Sequence, residues 1–327
     1  MANVDEGPDE LTEAGQSAGP ARAAAVALLG SRIVSGQRGY RPGDVLRLDA
    51  VMQEINGSRA LAREVLQVLG HKGLVTLKAR VGATVQSVER WDVFDSDVIL
   101  WRLEIAPRFQ MRSLTELREA VEPRAAFLAA QRASAEVCRD LVSLALELKA
   151  LGMNEEFEDT AERGERCRAK YRRVDAEFHQ ALLKGSQNEM FSALTDQVTK
   201  ALEFRIVKEW EGAPRLYPDQ PEHDGDNVRR AFDAVPGARR PFPNRPEEAA
   251  LWFHYGLAYA VEQGLPHAAE AFSRAILAEF QDGHLSNPDL LHALERAIRA
   301  LDLNGLRATD AEPFVEAITA ITRRGRT

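Results

Sequence analysis

The feature that most limits how this chain folds is the stretch 41–85, in which two short amphipathic runs are separated by Asn56-Gly57. That dipeptide supplies a tight connection between crossing helices. Ser58 follows it and is a good helix N-cap, so a second helix is predicted over residues 59–69, ending at Gly70. Two strand-like segments come next. Helix, tight turn, helix and strand pair, in that order, predict a winged helix-turn-helix.

Cationic residues lie where this fold meets a nucleic acid. Recognition helices present their N-terminal residues to base edges, where Arg pairs bidentately with guanine, while other cations hold phosphates. Arg59 and Arg63 share one face near the start of the second helix. Segments 74–77 and 83–88 are predicted strands, with a wing between them suited to phosphate or minor-groove contact. The predicted DNA-contacting residues are Arg47, Ser58, Arg59, Arg63, Lys78, Arg80 and Gly82. The alternative for the two arginines is a solvated helix face.

The charge distribution favours the same assignment. The whole chain has a formal net charge of −8. Residues 20–90 carry 11 Lys and Arg against 5 Asp and Glu, whereas the other residues carry 31 against 45. An acidic protein with a single basic module is the pattern expected when phosphate contacts are confined to one domain.

Composition and length set the wider limits. The 327 residues, 45% hydrophobic and 28% charged, suggest about two globular domains. No apolar run approaches the roughly 20 residues of a membrane span, and the first residues lack a signal-peptide pattern, so a cytoplasmic location and no membrane partner are expected. The two cysteines, Cys138 and Cys167, form neither a disulfide framework nor a zinc motif.

The second half of the chain is helical in pattern almost without interruption. Amphipathic helices are predicted over 114–133, 134–151, 166–184 and 188–210, and strand signals are absent. The predicted fold class is therefore mainly α, an N-terminal winged helix-turn-helix followed by a C-terminal all-α helical bundle. The predicted divisions are a disordered tail 1–19, a DNA-binding domain 20–90, a linker 91–112, a helical effector-binding and dimerisation domain 113–282 with a loop insertion 211–246, and extra helices 283–327.

Specific motifs within this frame resemble a known family. The stretch 33–85 resembles the DNA-binding domain of GntR-type bacterial transcription regulators through Pro42-Gly43, Ser58-Arg59-x-x-x-Arg63-Glu64, Gly73-Leu74-Val75 and Arg80-Val81-Gly82. One departure is Ala50, near where several relatives carry an Arg on the first helix of the motif. The resemblance implies double-stranded operator DNA as a partner and a homodimer.

The helical half resembles the ligand-binding domain of the FadR branch of that family, known as FCD. The resemblance rests on Leu117-Arg118-x-x-x-Glu122, on Asp175-x-x-Phe178-His179 and on Asn188. The linker also resembles that of sugar-acid-responsive members such as galactonate repressors. A small carboxylate or sugar-acid effector is thereby implied, with Arg118, Asp175, His179 and His254 as effector-binding residues.

A metal site is a further implication. Asp175 and His179 stand at i and i+4 on one helix, a spacing that suits two ligands of one divalent ion such as zinc. In relatives with a metal, two later histidines complete the site. If His254 is the third ligand, Ile276 occupies the position of the fourth, and isoleucine cannot bind a metal. If Glu222-His223 supplies the third ligand, its distance from His179 is the one usual in the family, but Asn244 occupies the position of the fourth. The alternative is a polar Asp175–His179 pair inside the bundle.

Two other assignments stay open. Arg118 is either a carboxylate clamp or the salt-bridge partner of Glu122 on its own helix. The helix pair predicted over 247–280 has spacings resembling a tetratricopeptide repeat, so it either completes the bundle with His254 in the cavity or forms an appended surface.

The sequence therefore predicts a transcription regulator, a repressor controlled by an effector, and not an enzyme. A hydrolase built on Asp175, His179 and His254 lacks a paired carboxylate and a phosphate loop. The alternative is a helical interaction scaffold with a degenerate winged helix.

Overall fold

The computed structural model describes residues 10–78, 82–159, 162–200, 246, 248–278, 287–302 and 308–324. These fall into two compact units that divide between Gln110 and Met111. Among the described residues, helices predominate and one small three-stranded sheet is present. The predicted fold class is confirmed.

The helix-turn-helix forms as the sequence predicts. Helix α2 spans Leu48–Glu54 and helix α3 spans Arg59–His71. Between them Asn56 adopts a left-handed φ of 45°, which Asn tolerates better than most residues. The Ser58 hydroxyl accepts the Leu61 N–H at 3.1 Å and so caps α3. One face of α3 is buried, with Ala62, Val65, Leu66 and Leu69 in the core.

The end of α3 differs from the prediction. The helix runs through Gly70 to His71, and the chain reverses at Gly73, where φ is +74°. A Cβ at Gly73 would lie 2.1 Å from the Arg90 carbonyl oxygen. Gly73 therefore ends the helix and also allows the chain that leaves the sheet to pass close by.

The wing is an antiparallel sheet. Strands β1 (Val45–Leu46), β2 (Val75–Lys78) and β3 (Gly82–Val85) lie in the order β1-β3-β2. Strand β1 was not predicted, because two residues are too few to show an alternating pattern. The predicted 83–88 strand ends at Val85 and gives way to a 3-10 turn, Val88–Arg90. Residues 79–81, which include Arg80, lie outside the described residues.

Two further helices complete the N-terminal unit. Helix α1 spans Glu10–Val34, so residues 10–19 of the predicted disordered tail are helical and only 1–9 lie outside the described residues. Helix α4 spans Ser96–Ile105, inside the predicted linker. Its Trp101 is buried so closely against Gly30 of α1 that a Cβ there would lie 2.3 Å from the ring. The segment is therefore a packed part of this unit.

Two ion pairs of one lysine join α3 to α4. Lys72, at the C-cap of α3, lies 2.8 Å from Asp95 Oδ2 and 2.8 Å from Asp97 Oδ2. Burial alone would lower the pKa of Lys72, but the hydrogen bonds and charges of these two carboxylates raise it above its ordinary value. Asp95 also caps α4 by accepting the N–H groups of Asp97 and Val98.

The C-terminal unit is all helical in its described part. Helix α5 (Pro107–Arg132) enters it from the N-terminal unit, and the Ser134 hydroxyl caps the next helix as predicted. Further helices are α6 (Ala135–Gly152), α7 (Glu162–Gly185), α8 (Glu189–Ser192), α9 (Glu248–Glu262), α10 (Pro266–Ala278), α11 (Pro288–Ala300) and α12 (Ala308–Arg324). Residues 195–200 are also helical, so a turn at 193–194 interrupts the predicted 188–210 helix. Most of the predicted insertion 211–246 lies outside the described residues.

Helix α9 is the centre of the second core. Every side chain from Ala250 to Val261 is buried, against α6 on one side and α10 and α12 on others. Gly256 lets the Phe272 ring of α10 approach within 2.7 Å of where a Cβ would stand. The α9–α10 pair thus shares one core with α5, α6 and α7, as the bundle-completing interpretation requires. No helix in the described part of the chain is long and apolar enough to cross a membrane.

We predict unequal costs for two glycine substitutions in the N-terminal unit. Gly73→Ala should lower the free energy of unfolding by about 3 kcal/mol, because it combines a left-handed residue with displacement of the Arg90 backbone. Gly36→Ala, with φ +63° and open space around it, should cost about 1 kcal/mol. Equilibrium urea unfolding of the full chain measures both, and equal losses would contradict the packing argument.

Candidate functional site

The exposed end of α3 carries the predicted DNA readers. Arg59 and Arg63 are both exposed and lie one turn apart. Ser58 is committed to the helix cap, so its hydroxyl orders the start of α3. Arg47 is exposed at the N-cap position of α2, where its side chain makes no capping bond. The first turn of a recognition helix is thus left open to solvent and cationic.

The wing presents a second cationic point. Lys78 is exposed at the end of β2 and pairs in register with Gly82 at the start of β3. Gly82 has φ +121°, and a Cβ there would lie 2.6 Å from the Leu46 carbonyl oxygen of β1. Glycine is therefore needed for the sheet to close at the base of the wing. Lys78 is a suitable phosphate contact.

A polar cluster lies buried in the C-terminal unit. Asp175 and His179 project from α7, and His254 projects from the centre of α9. Asp175 Oδ1 lies 3.7 Å from His179 Nε2 and 3.3 Å from His254 Nε2, and the two Nε2 atoms are 3.4 Å apart. Three ligand atoms from two helices thus converge on one point.

The sides of this triangle fit a metal ion. Tetrahedral coordination with ligand bonds of about 2.0–2.1 Å separates neighbouring ligand atoms by about 3.3–3.4 Å. The observed separations of 3.3, 3.4 and 3.7 Å are close to that value. All three residues are buried, and together they form the group of His and carboxylate ligands best placed for an ion among the described residues.

The outer nitrogen of His254 is held by backbone. His254 Nδ1 lies 2.7 Å from the Ala250 carbonyl oxygen, which can only accept, so Nδ1 donates to it and Nε2 is the ring atom that faces Asp175. The Phe178 ring packs edge-on against both imidazoles, with centroids 5.1 Å from His254 and 5.7 Å from His179. Packing thus fixes the direction of both rings.

Helix α5 adds a charged pair behind the triad. Arg118 Nε donates to Glu122 Oε1 at 2.6 Å, and Arg118 Nη2 lies 3.5 Å from His179 Nε2. Glu122 Oε2 lies 2.9 Å from His179 Nδ1. Burial alone would raise the pKa of the Glu122 carboxyl, but the charge of Arg118 and the contact with His179 lower that pKa to about 2. Glu122 is therefore ionised at neutral pH, although its side chain is only 1% exposed.

The structure brings together the four predicted sensor residues, Arg118, Asp175, His179 and His254. Arg118 makes the predicted ion pair with Glu122 and also reaches His179, so both interpretations of its role fit the geometry. Glu122 itself was not predicted as a member of the site. Its i+4 spacing from Arg118 was visible in the sequence, but its contact with His179 depends on tertiary packing.

Of the two candidate third ligands, His254 lies among the described residues. His254 lies in the cluster, whereas His223 and Asn244 lie outside the described residues. Ile276 is buried in the core of the C-terminal unit, and its apolar side chain offers no ligand atom.

Two known protein families match this chain, one in each of its two units. The family "Bacterial regulatory proteins, gntR family" matches residues 21–85, and the FCD domain family matches residues 113–235. Both are families of regulators, which agrees with a protein that is not an enzyme.

Individual relatives give the same result. The galactonate operon transcriptional repressor of Escherichia coli is 29% identical over 230 residues, 69% of this chain and 90% of that protein. The transcriptional regulator LutR of Bacillus subtilis is 30% identical over 50% of this chain and 67% of its own length. A solved Streptococcus agalactiae GntR structure covers 77% of this chain and 96% of its own, with 18% identity and a TM-score of 0.36. On the two family matches and the two curated relatives, this chain belongs to the GntR family of bacterial regulatory proteins, as a DNA-binding transcription regulator with an FCD domain.

Proposed function

We propose that this regulator is a repressor whose binding to operator DNA is controlled by a small carboxylate effector and a divalent metal ion in the C-terminal unit. The observation that carries the proposal is the buried convergence of Asp175, His179 and His254 beside the guanidinium of Arg118. Such a group of ligands and a cation in the second unit of a DNA-binding protein is suited to sensing an anion.

The DNA-reading part of the proposal rests on exposure and charge. Arg59 and Arg63 read bases or phosphates from the first turns of α3, and the exposed Arg47 and Lys78 add phosphate contacts. Arg80, which lies outside the described residues, is included for its charge alone. As a homodimer, the protein would place two α3 helices on the half-sites of a palindromic operator.

The metal-binding part rests on the donor set. Asp175, His179 and His254 would hold an ion such as zinc and leave at least one coordination position open. A bound ion supplies a Lewis acid for an oxygen of the effector. The three residues themselves orient the site, because their side chains are fixed by α7, α9 and the Phe178 ring.

The effector class follows from the same chemistry. Arg118 offers a planar fork of donors that matches a carboxylate, and an ion in the triad would attract the same group. A sugar acid or short-chain carboxylate fits both features, and one relative is by name a galactonate operon repressor. Effector binding shifts the population between DNA-binding and non-binding arrangements through a differential affinity of a few kcal/mol.

Removal of either reader should weaken DNA binding. Arg59→Ala and Arg63→Ala should each reduce affinity for the DNA upstream of the protein's own gene by roughly 5- to 150-fold, equivalent to about 1–3 kcal/mol. A variant that loses only a phosphate contact should also show a shallower salt dependence, by about 0.9 in the slope of log K against log salt. Fluorescence anisotropy across a salt series measures both quantities.

Arg139→Ala is the matched control for these variants, since Arg139 is an exposed arginine on α6 of the other unit. It should bind as the wild type does. Absence of salt-dependent binding by the wild type would favour the interaction-scaffold alternative instead.

Metal content is expected to depend on one buried histidine. Protein purified without chelator should hold about one equivalent of divalent metal per chain, and His254→Gln should hold less than a tenth. His292→Gln, at an exposed position on α11, should keep the full amount. Elemental analysis by mass spectrometry measures the content. A metal-free wild type that also takes up no added ion would mean that Asp175 and His179 are only a polar pair.

Effector binding should appear as thermal stabilisation. In a screen of sugar acids and short-chain carboxylates, a true effector at about 100 times its dissociation constant should add roughly 2.7 kcal/mol to the folded state. Arg118→Lys should reduce this gain, because lysine keeps the charge but loses the bidentate fork. If no carboxylate stabilises the wild type, the effector class is wrong.

A further inference from the structure

We infer that Glu122 is the positioning residue of the sensor, holding His179 in the tautomer that binds metal and Arg118 in the orientation that binds anion. This inference rests on the proposed metal and effector site. It adds a residue that joins the two halves of that site and predicts that they bind their ligands cooperatively.

Two carboxylates compete for the proton of the His179 imidazole. His179 stands between two carboxylates: Glu122 Oε2 lies 2.9 Å from Nδ1, and Asp175 Oδ1 lies 3.7 Å from Nε2. If the proton sat on Nε2, it would point into the triad and block a metal ion. The nearer carboxylate draws it to Nδ1 and leaves Nε2 as a lone pair, the arrangement by which buried carboxylates orient metal-binding histidines.

Nothing else in the described part of the chain can replace Glu122 in that role. His179 Nδ1 is buried and makes no hydrogen bond to any described residue. The 2.9 Å separation between His179 Nδ1 and Glu122 Oε2 is an ion-pair distance and not a hydrogen bond in this structure, and Oε2 is the acceptor that stands beside Nδ1. The Glu122 carboxylate is thus the acceptor that decides the tautomer.

Glu122 also sets the orientation of the Arg118 guanidinium. Glu122 Oε1 accepts Arg118 Nε at 2.6 Å and Oε2 lies 3.4 Å from Nη2, which directs the guanidinium edge to within 3.5 Å of His179 Nε2. A metal ion bound at Nε2 would therefore lie close to a guanidinium, and two cations repel each other in a buried site. The Glu122 charge offsets that repulsion.

A carboxylate ligand between the ion and Arg118 would offset the repulsion further. Metal and anion should therefore each strengthen the binding of the other, and by linkage the two effects must be equal. Glu122 is the residue through which this coupling is held, because it contacts Arg118 with both carboxylate oxygens and His179 with Oε2.

The main test compares two glutamates of helix α5 in the full chain. Co²⁺ alone is titrated into chelator-treated protein, and its visible absorption spectrum reports the coordination. Glu122→Gln should weaken Co²⁺ binding by about 10- to 100-fold. Glu116→Gln should bind as the wild type does, since Glu116 is also the i+4 partner of an arginine, Arg112, but is exposed.

A second measurement distinguishes positioning from a general structural role. In ¹⁵N-histidine-labelled, metal-free wild type, the imidazole nitrogen shifts of His179, identified by comparison with His179→Gln, should show the proton on Nδ1. In Glu122→Gln the proton should move toward Nε2. An unchanged tautomer together with unchanged Co²⁺ affinity would overturn the inference.

The outcomes separate this inference from the proposed function. Asp175→Asn should abolish Co²⁺ binding, and if the wild type binds no Co²⁺ at all, the proposed metal site fails first. If the wild type binds, Asp175→Asn does not and Glu122→Gln equals the wild type, then the metal site stands and the role of Glu122 is wrong. Should Glu122→Gln fail to fold, Glu122→Asp keeps the charge but withdraws it by one methylene, and Co²⁺ affinity equal to the wild type would then refute the inference.

Discussion

The candidate ligand site of the C-terminal unit depends on a carboxylate that is almost fully removed from water. A buried, unpaired charge costs several kcal/mol, and removing one partner of a buried pair is strongly destabilising. Glu122 meets this cost by contacting Arg118 of its own helix and His179 of α7. Because Arg118 and His179 together lower the pKa of the Glu122 carboxyl against the effect of burial, the charge favours the register of α5 on α7 that brings the three side chains together. The geometry of the candidate ligand site follows from that register.

The DNA-reading unit depends on a comparable fixed point. Lys72, at the C-cap of α3, pairs with Asp95 and Asp97 at the start of α4. Gly73 has no side chain, so its backbone can lie against the carbonyl of Arg90. Helices α3 and α4 are therefore joined both by ion pairs and by close backbone packing. Only Ala106 separates the end of α4 from the start of α5. The helix that carries Glu122 thus follows directly, along the chain, from the helix that braces α3.

Local chemistry explains how much of this could be predicted. The helix-turn-helix follows from Asn56-Gly57 and Ser58, whose preferences act within a few residues. Strand β1 is too short to show a period, and Gly70 could not be distinguished from Gly73 as a helix end without knowing which one must approach Arg90. Contacts such as Glu122 with His179 join residues far apart in sequence, and helical spacing alone cannot pair them. Spacing likewise left the third ligand open between His254, which was preferred, and His223.

The position of His254 connects the C-terminal helices to the candidate ligand site. It lies on α9, beyond the residues 113–235 that match the FCD family, and α9 is buried on every side within a core that includes α10, α11 and α12. An ion held by Asp175, His179 and His254 would cross-link α7 to α9. Since binding to the folded state alone stabilises it, the ion would also stabilise the helices packed around α9. The proposed ligand set would therefore link the helices packed on α9 to the candidate ligand site, because the third ligand lies on α9.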